Sequence, residues 1–350
     1  MKKISLYLDS GYINIPSIVS CGMPFIFATG GRGTGKTYGV TDWLNDTGYK
    51  FIYMRRTQSE LESCWSDEEV NPFKKWNADH DRTIGIIKHS KYTGWICDRE
   101  ADENGKLKQT GPVLGVAIAL STFANVRGFN GEDFDVLFYD EFIPERHVRP
   151  IKEEAFAFFN VIETINRNRE LEGRKPLQVI CMSNANKLDN PLYMYMGVVS
   201  KVDRMKKECQ EVSIMPSRGL CLINLERSPI SERKRDTALY RLTKGSQFES
   251  MSLDNSYIGE DDRQYIGSKP LAEYTPLVAP GEICIYRHKS KHEFYISTHT
   301  AGNPVRYMTS DSDLARFKKA YGWLWLEYLN GRIFFEERIC EMLLTKYYNM

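Results

Sequence analysis

The stretch Phe25-Ile26-Phe27-Ala28-Thr29-Gly30-Gly31-Arg32-Gly33-Thr34-Gly35-Lys36-Thr37 restricts the possible folds of this chain more than any other. An apolar run enters a glycine-rich turn that ends in Gly-Lys-Thr, which is the phosphate-binding loop pattern of Gly, four residues, then Gly-Lys-[Ser/Thr]. Glycines let the backbone wrap a polyphosphate so that several N–H groups point inward together. The helix that follows starts with unpaired N–H groups and the positive end of its dipole, both suited to an anion. The loop residues Gly30, Gly31, Arg32, Gly33, Thr34, Gly35, Lys36 and Thr37 are therefore the expected nucleotide cradle. Lys36 reaches the β- and γ-phosphates, and the Thr37 hydroxyl ligates Mg²⁺. The apolar residues ahead of the loop read as a buried strand and Tyr38 to Leu44 as a helix, the context the pattern requires.

A chain of 350 residues suits one large or two to three modest domains. The net charge of +1 confines any nucleic-acid contact to local patches. The eight cysteines are scattered without a Cys-x-x-Cys pair, and no apolar run is long enough to span a bilayer, so reduced thiols in a cytosolic setting are expected. Cys284, His288 and His292 would share a helix face, but the alternation around them predicts strands, which argues against a metal site.

The role of residues 1–24 is open. Beyond the loop, Phe51 to Met54 predicts a second buried strand ending in Arg55-Arg56, and 59–77 an amphipathic helix. Residues 83–87 and 92–97 predict a hairpin or meander, 98–111 an exposed loop, and 113–120 a strand. Phe134-Asp135-Val136-Leu137-Phe138-Tyr139-Asp140-Glu141 is the Walker B pattern: a buried strand makes a rigid platform for two carboxylates. Asp140 would hold the Mg²⁺ shell and Glu141 would orient and polarise the attacking water.

A helix is predicted over 151–166, with Pro150 at a tolerated first-turn position. A further strand, 177–182, ends in Ser183-Asn184, which suits either a γ-phosphate sensor or a structural cap. The alternation of strand and helix to about residue 225 implies a mostly parallel sheet covered on both faces. Because a strand intervenes in sequence between the phosphate loop and Walker B, and a glutamate follows the Asp, the chain fits the additional-strand, catalytic-glutamate (ASCE) division of phosphate-loop ATPases. Residues 226–250 carry six basic against four acidic residues and predict a short helical linker, either solvated or DNA-facing. From about 261 onward an α+β pattern is expected, with strands near 282–286, 294–297 and 305–309, then helices from Ser312 to the end.

The chain resembles the DNA-packaging ATPases of small protein-primed podophages, the phi-twenty-nine group, relatives of the large terminases. The resemblance rests on Gly30 to Thr37, on Phe51 to Arg56, on Phe138-Tyr139-Asp140-Glu141-Phe142, on Arg167-Asn168-Arg169-Glu170, on Ser183-Asn184-Ala185 and on Met251-Ser252-Leu253-Asp254-Asn255. It implies an ATP- and Mg²⁺-dependent motor that translocates double-stranded DNA into a preformed capsid. Five copies would ring the capsid portal in the host cytoplasm, with no membrane involved and a structural RNA left open. It implies that Arg167 is a finger reaching a neighbour's ATP and that Arg127, in Val126-Arg127-Gly128, also acts across the interface. It implies an ATPase domain over 1–225, a linker over 226–260 and a degenerate RNase-H-like domain over 261–350. The family lysine thought to touch DNA is Gln58 here, a departure that puts DNA gripping by that loop in doubt. The predicted C-terminal strands carry only Glu282 and Glu293, too few carboxylates for a two-metal nuclease. A large terminase with live nuclease, or a non-motor phosphate-loop NTPase, is the alternative. Asn186-Lys187-Leu188-Asp189 spells a guanine motif, but Glu141 beside Asp140 and the lack of an Asp-x-x-Gly switch point to ATP.

Overall fold

The computed structural model describes residues 4–126, 129–144, 151–184, 188, 190–225, 228–246, 249, 253 and 264–349. Arg127, Pro150, Asn186-Lys187 with Asp189, and most of 247–263, including Met251-Ser252 and Asp254-Asn255, lie outside the described residues.

The chain forms two compact units, Met1–Lys187 with Met205–Ile258, and Leu188–Arg204 with Gly259–Met350. The first is built on a ten-stranded sheet. The elements up to residue 242 are, in chain order, α1 (Ile15–Val19), β1 (Phe25–Gly30), α2 (Lys36–Thr47), β2 (Phe51–Arg55), α3 (Gln58–Ser66), α4 (Lys74–His80), β3 (Ile84–Lys88), β4 (Thr93–Ala101), β5 (Leu107–Gln109), β6 (Gly115–Ala119), β7 (Val136–Asp140), α5 (Glu154–Asn166), β8 (Gln178–Ser183), then α6 (Pro191–Tyr195) and α7 (Val199–Lys207), β9 (Val212–Met215), β10 (Leu220–Leu225), α8 (Pro229–Lys234) and α9 (Ala238–Leu242); of these, α6 and α7 as far as Arg204 fall in the second unit. The order across the sheet is β3-β4-β6-β2-β7-β8-β1-β10-β9, with β5 on β4. The six strands from β6 to β10 run parallel and the edges are antiparallel.

Parallel strands are buried on both faces, and side-chain alternation divides their residues between two layers. Ile26 and Ala28 of β1 join Ile15, Ile18, Val40, Leu44, Leu61 and Trp76 from the first four helices in one core. Phe27 points the other way, with its ring centroid 6.3 Å from Phe158 of α5, which also stacks on Tyr139. The expected mixed α/β architecture, with a large sheet and helices on both faces, is what the chain forms.

Several local expectations differ. The single helix over 59–77 is two helices, because Asp67 is extended and Asn71-Pro72 cannot continue a turn. Residues 98–111 are not an open loop: β4 runs on to Ala101 and pairs with β5 around a turn in which Asp102 accepts the N–H groups of Asn104 and Lys106. The strand beside the Walker B strand on the phosphate-loop side is β8, which follows Walker B in sequence. Of the strands between the phosphate loop and Walker B in sequence, β2 is the one that pairs with it, on the far side.

The end of β2 is fixed to the start of α5 by a buried ion pair. Arg56 donates twice to Glu154, at 2.6 and 2.9 Å, and both side chains are 1% exposed. Removing one member leaves the other charged, buried and without its counter-ion, which costs about 3–5 kcal/mol, whereas replacing both with apolar residues of similar volume can be nearly neutral. Glu154→Ala is therefore expected to lower the unfolding free energy by about that amount, and Arg56→Met with Glu154→Leu by much less than the two single changes together. Chemical denaturation of the three variants measures this; a loss below about 1 kcal/mol in Glu154→Ala would show that the pair is not desolvated as described.

The second unit has a five-stranded sheet ordered β14 (Val305–Tyr307), β11 (Tyr274–Pro280), β12 (Cys284–His288), β13 (Phe294–Ser297) and β15 (Ile333–Phe335). β11 and β15 were not expected; β15 breaks what read as continuous helix, since Gly331 leaves the helical region and Ile333 and Phe335 bury beside β13. The helices Asp311–Tyr321 and Arg338–Asn349 bring Leu314, Phe317, Leu343 and Leu344 into its core. Residues 188–204 belong to this unit: Met194 packs on its core, and Asp203 lies 3.6 Å from Arg338. Cys284, His288 and His292 have separate surroundings. Cys284 is buried in β12, His288 accepts the N–H groups of Ser290 and Lys291, and His292 meets Glu327 at 3.1 Å.

Candidate nucleotide site

The C-terminal ends of β1, β2, β7 and β8 lie on one edge of the first unit's sheet, where parallel α/β sheets carry their ligand sites. The phosphate loop joins β1 to α2. Gly35 is the residue before the helix, at φ 83°, with no side chain capping the first turn, so the free N–H groups at the head of α2 face the loop. Lys36 is buried and its ammonium donates to the carbonyls of Gly30 at 3.0 Å and Gly31 at 2.8 Å and to the Thr34 hydroxyl at 3.2 Å. Burial pushes the Lys36 amine down to about 8, against the opposing pull of the Glu141 and Asp140 carboxylates.

The two halves of the expected site meet. The Thr37 hydroxyl donates to Asp140, with its oxygen 3.2 and 3.3 Å from the two carboxylate oxygens. These are hard oxygen ligands on adjacent elements. They suit Mg²⁺, which keeps several waters and is commonly bound by one or two protein oxygens together with substrate phosphates. Among the described residues, no cluster of three or more His, Cys, Asp and Glu forms a self-sufficient metal cage.

Glu141 follows directly, in a left-handed backbone conformation at φ 58°. A non-glycine residue there costs of order 1–3 kcal/mol unless its surroundings hold it. Asn184, at the end of β8, does so: its side-chain amide donates to one Glu141 carboxylate oxygen and its backbone N–H to the other at 3.4 Å. Burial, and next the Asp140 charge, push the Glu141 carboxyl above the usual carboxylate range. A carboxylate with raised proton affinity, fixed beside the Thr37–Asp140 pair, is suited to accept a proton from water. Asn184, read from sequence as sensor or cap, thus orients Glu141.

Three contributors were not assigned from sequence. The Tyr53 hydroxyl of β2 donates to Asp140 at 3.1 Å, and Arg55 at the end of β2 lies 3.5 Å from the same carboxylate oxygen. Aromatic and basic residues at the end of a buried strand give no signal of which neighbouring carboxylate they will face. The opening segment, whose role was open, walls the loop: the Ile13 N–H donates to the Thr34 carbonyl at 3.1 Å, and the Tyr12 ring lies against Gly35.

Arg167 is not brought to this site within one chain. α5 carries it back to the opposite edge of the sheet, where it pairs with Glu132 at 2.9 Å and donates to the Phe129 carbonyl at 3.2 Å. Arg127 lies outside the described residues. Gln58, standing where the resemblance has a lysine, accepts from Thr122 at 2.8 Å and donates to Glu62 at 3.1 Å, an internal tie at the head of α3.

The profile of the podovirus DNA encapsidation protein (Gp16) family matches residues 8–271. The chain is similar to the DNA packaging protein of Bacillus phage phi29, 28% identical over 239 residues, which are 67% of this chain and 62% of that protein. It is also similar to the DNA packaging protein of Bacillus phage B103, 29% identical over 243 residues, covering 67% and 65%. The match thus spans less than two thirds of the length of these relatives. Among solved structures, a chain of the bacteriophage Phi-29 viral genome packaging motor assembly shares the fold, with a TM-score of 0.68 at 20% identity over 99% of both chains. The family match covers the phosphate loop, Asp140, Glu141 and Asn184 and well over half of the sequence, and the chain therefore belongs to the podovirus DNA encapsidation protein (Gp16) family.

Proposed function

We propose that this chain is an ATP-driven motor that translocates double-stranded DNA into a preformed viral capsid. The observation that carries the reading is the meeting of Thr37 with Asp140 beside an oriented Glu141. That is the arrangement needed to hold a metal–nucleotide complex and activate water. ATP binds in the Gly30–Thr37 loop with Lys36 on the β- and γ-phosphates. Thr37 and Asp140 hold Mg²⁺, which when bound neutralises charge on the phosphates. Glu141, steered by Asn184, accepts the proton of the attacking water. The placement of β8 between β1 and β7 supports the ASCE assignment.

The first unit is the ATPase, and the segment after β10 links it to the second. We assign the second unit a vestigial RNase-H-like role in binding or positioning DNA, without nuclease activity. Three of its carboxylates are held by neighbours, with Glu341 accepting the Tyr328 hydroxyl at 2.6 Å, Glu336 the Ser297 hydroxyl at 2.5 Å, and Glu327 meeting Arg332 and His292, and among the described residues no carboxylate cluster that could hold a metal forms. The working assembly is a ring, pentameric by the family resemblance, docked on the capsid portal in the host cytoplasm, with Arg167 and Arg127 serving a neighbour's site. No helix of the described residues is long and apolar enough to cross a membrane.

The test is nucleotide turnover by the purified protein with ATP or GTP, with and without double-stranded DNA, alongside Lys36→Ala. The expected result is DNA-stimulated ATP hydrolysis without strand cleavage, slower GTP turnover, and loss of nucleotide binding in Lys36→Ala. Normal hydrolysis by Lys36→Ala would remove the loop as the site; turnover indifferent to DNA would remove the motor.

A further inference from the structure

The sheet strand beside the phosphate-loop strand, β10, ends at Leu225, in register with Gly30. Just beyond it the short helix α8 starts at a buried Ser228, whose hydroxyl accepts the Ile230 N–H at 3.3 Å, and it buries Ile230 and Ser231. Its last residue, Lys234, comes back onto the phosphate loop and donates its ammonium to the Arg32 carbonyl at 2.7 Å. The neighbouring Gly33 has φ +73°, and a Cβ there would collide with the Lys234 ammonium and lie 3.1 Å from its Cε. Gly33 is thus glycine for its backbone conformation, and a side chain there would also push the Lys234 ammonium off its place. Arg233 donates to the Ser10 carbonyl at 2.9 Å, tying α8 to the same opening segment whose Ile13 N–H bonds Thr34.

A second ammonium beside a loop that already holds Lys36 adds positive charge there, which favours an anion at the loop. The Arg32–Gly33 peptide supplies the connection. A trans peptide is planar, and its C=O and N–H point in opposite directions. Holding the Arg32 oxygen on the α8 side turns the Gly33 N–H the other way. A charge-assisted bond to the carbonyl also polarises the peptide and strengthens that N–H as a donor.

We propose that Lys234 is a positioning residue for nucleotide binding: it fixes the Arg32–Gly33 peptide with its N–H presented to the phosphates and so couples α8 to occupancy of the loop. This rests on the nucleotide-binding reading above. Coupling is reciprocal, so bound phosphate must also tighten α8 on the loop.

The test uses the full chain with Lys234→Met, which keeps the stem and removes the charge, and Lys234→Arg, which restores a cation. ADP affinity, the KM and kcat for ATP, and amide hydrogen exchange over 230–235 with and without ADP are measured. In Lys234→Met, ADP affinity should fall and KM rise about tenfold, as for loss of one charged hydrogen bond, with kcat changing less than about twofold. Lys234→Arg should recover most of the affinity. ADP should slow exchange over 230–235 in the wild type and not in Lys234→Met. Unchanged ADP affinity in Lys234→Met, or wild-type exchange over 230–235 indifferent to ADP, overturns the proposal. If Lys234→Met does not fold, the wild-type exchange and Lys234→Arg decide alone. Lys36→Ala separates the two levels: if it too binds ADP normally, the nucleotide site itself is wrong; if it alone loses ADP, only the role of Lys234 fails.

Discussion

Glu141→Gln is expected to bind ATP within a few-fold of the wild-type affinity and to hydrolyse it about 10²–10⁴ times more slowly, the usual contribution of a positioned general base. The amide keeps the volume, and its one carbonyl oxygen can still accept the Asn184 side-chain bond, so the left-handed turn at 141 keeps one of its two ties to Asn184. Thr37 and Asp140 are untouched, so the proposed nucleotide cradle and metal ligands remain. What disappears is the basic oxygen that takes the proton from water. The direction of the Glu141 shift adds a pH dependence. Its proton affinity is raised by burial and by Asp140, so turnover should decline on the acid side at a pH above that of an ordinary carboxylate, as the group gains its proton. Phosphate release against pH, with nucleotide binding measured in parallel, checks both. A Gln variant turning over at near the wild-type rate would remove Glu141 from the proton transfer.

The residues that meet in the candidate site were legible because their signals are local. The Gly30–Thr37 pattern, the apolar run into Asp140-Glu141 and the polar stop at Ser183-Asn184 are each written in consecutive residues, and each stands at the end of a buried strand whose hydrophobicity is itself a signal. What was not legible depends on sheet order. β2 reads as a generic buried strand, and only its place next to β7 puts Tyr53 and Arg55 on Asp140. Arg56 and Glu154 are 98 residues apart, and a charged residue in sequence carries no mark of being buried with a partner. Tyr12, Ile13 and Lys234 wall the phosphate loop from segments before β1 and after β10, which periodicity cannot bring together. In the second unit, the short strands β11 and β15 were missed because one contains two prolines and the other is three residues long.

These tertiary neighbours alter how the local motif works. Asp140 accepts from Thr37 and Tyr53 and faces Arg55, so its oxygens are directed before any ligand arrives. Tyr53 is fully buried, and burial with the Asp140 charge keeps its phenol protonated as a donor. Arg55 also lies near enough to counter the rise in Glu141's proton affinity. The two adjacent carboxylates thereby have different partners: Asp140 is surrounded by donors, an arrangement suited to a cation, and Glu141 has Asn184 as its partner and a raised proton affinity, an arrangement suited to a proton.

Arg167→Ala should bind ATP normally yet lose on the order of 10³–10⁵ in turnover, the contribution of an arginine finger to a phosphoryl transfer, and the loss should be recoverable only by mixing subunits. Arg167 stands at the edge of the sheet opposite the phosphate loop, and strands of five or six residues separate the two edges by about 15–20 Å, beyond the reach of one side chain. It can therefore serve a nucleotide only in a neighbouring copy. Its present ties do not prevent that: the pair with Glu132 is exposed on both sides, a class of contact contributing about 0–1 kcal/mol. Mixing Arg167→Ala with Glu141→Gln gives rings in which some Arg167→Ala subunits, with their own Glu141 intact, face the Arg167 of a Glu141→Gln neighbour. In a head-to-tail ring mixed equally and at random, about a quarter of the interfaces have that composition. Turnover in the mixture should exceed the sum of the two separate variants and peak near equal proportions. If both variants assemble and no ratio rises above that sum, Arg167 does not complete a neighbour's site; if Arg167→Ala alone turns over normally, it is not a finger at all.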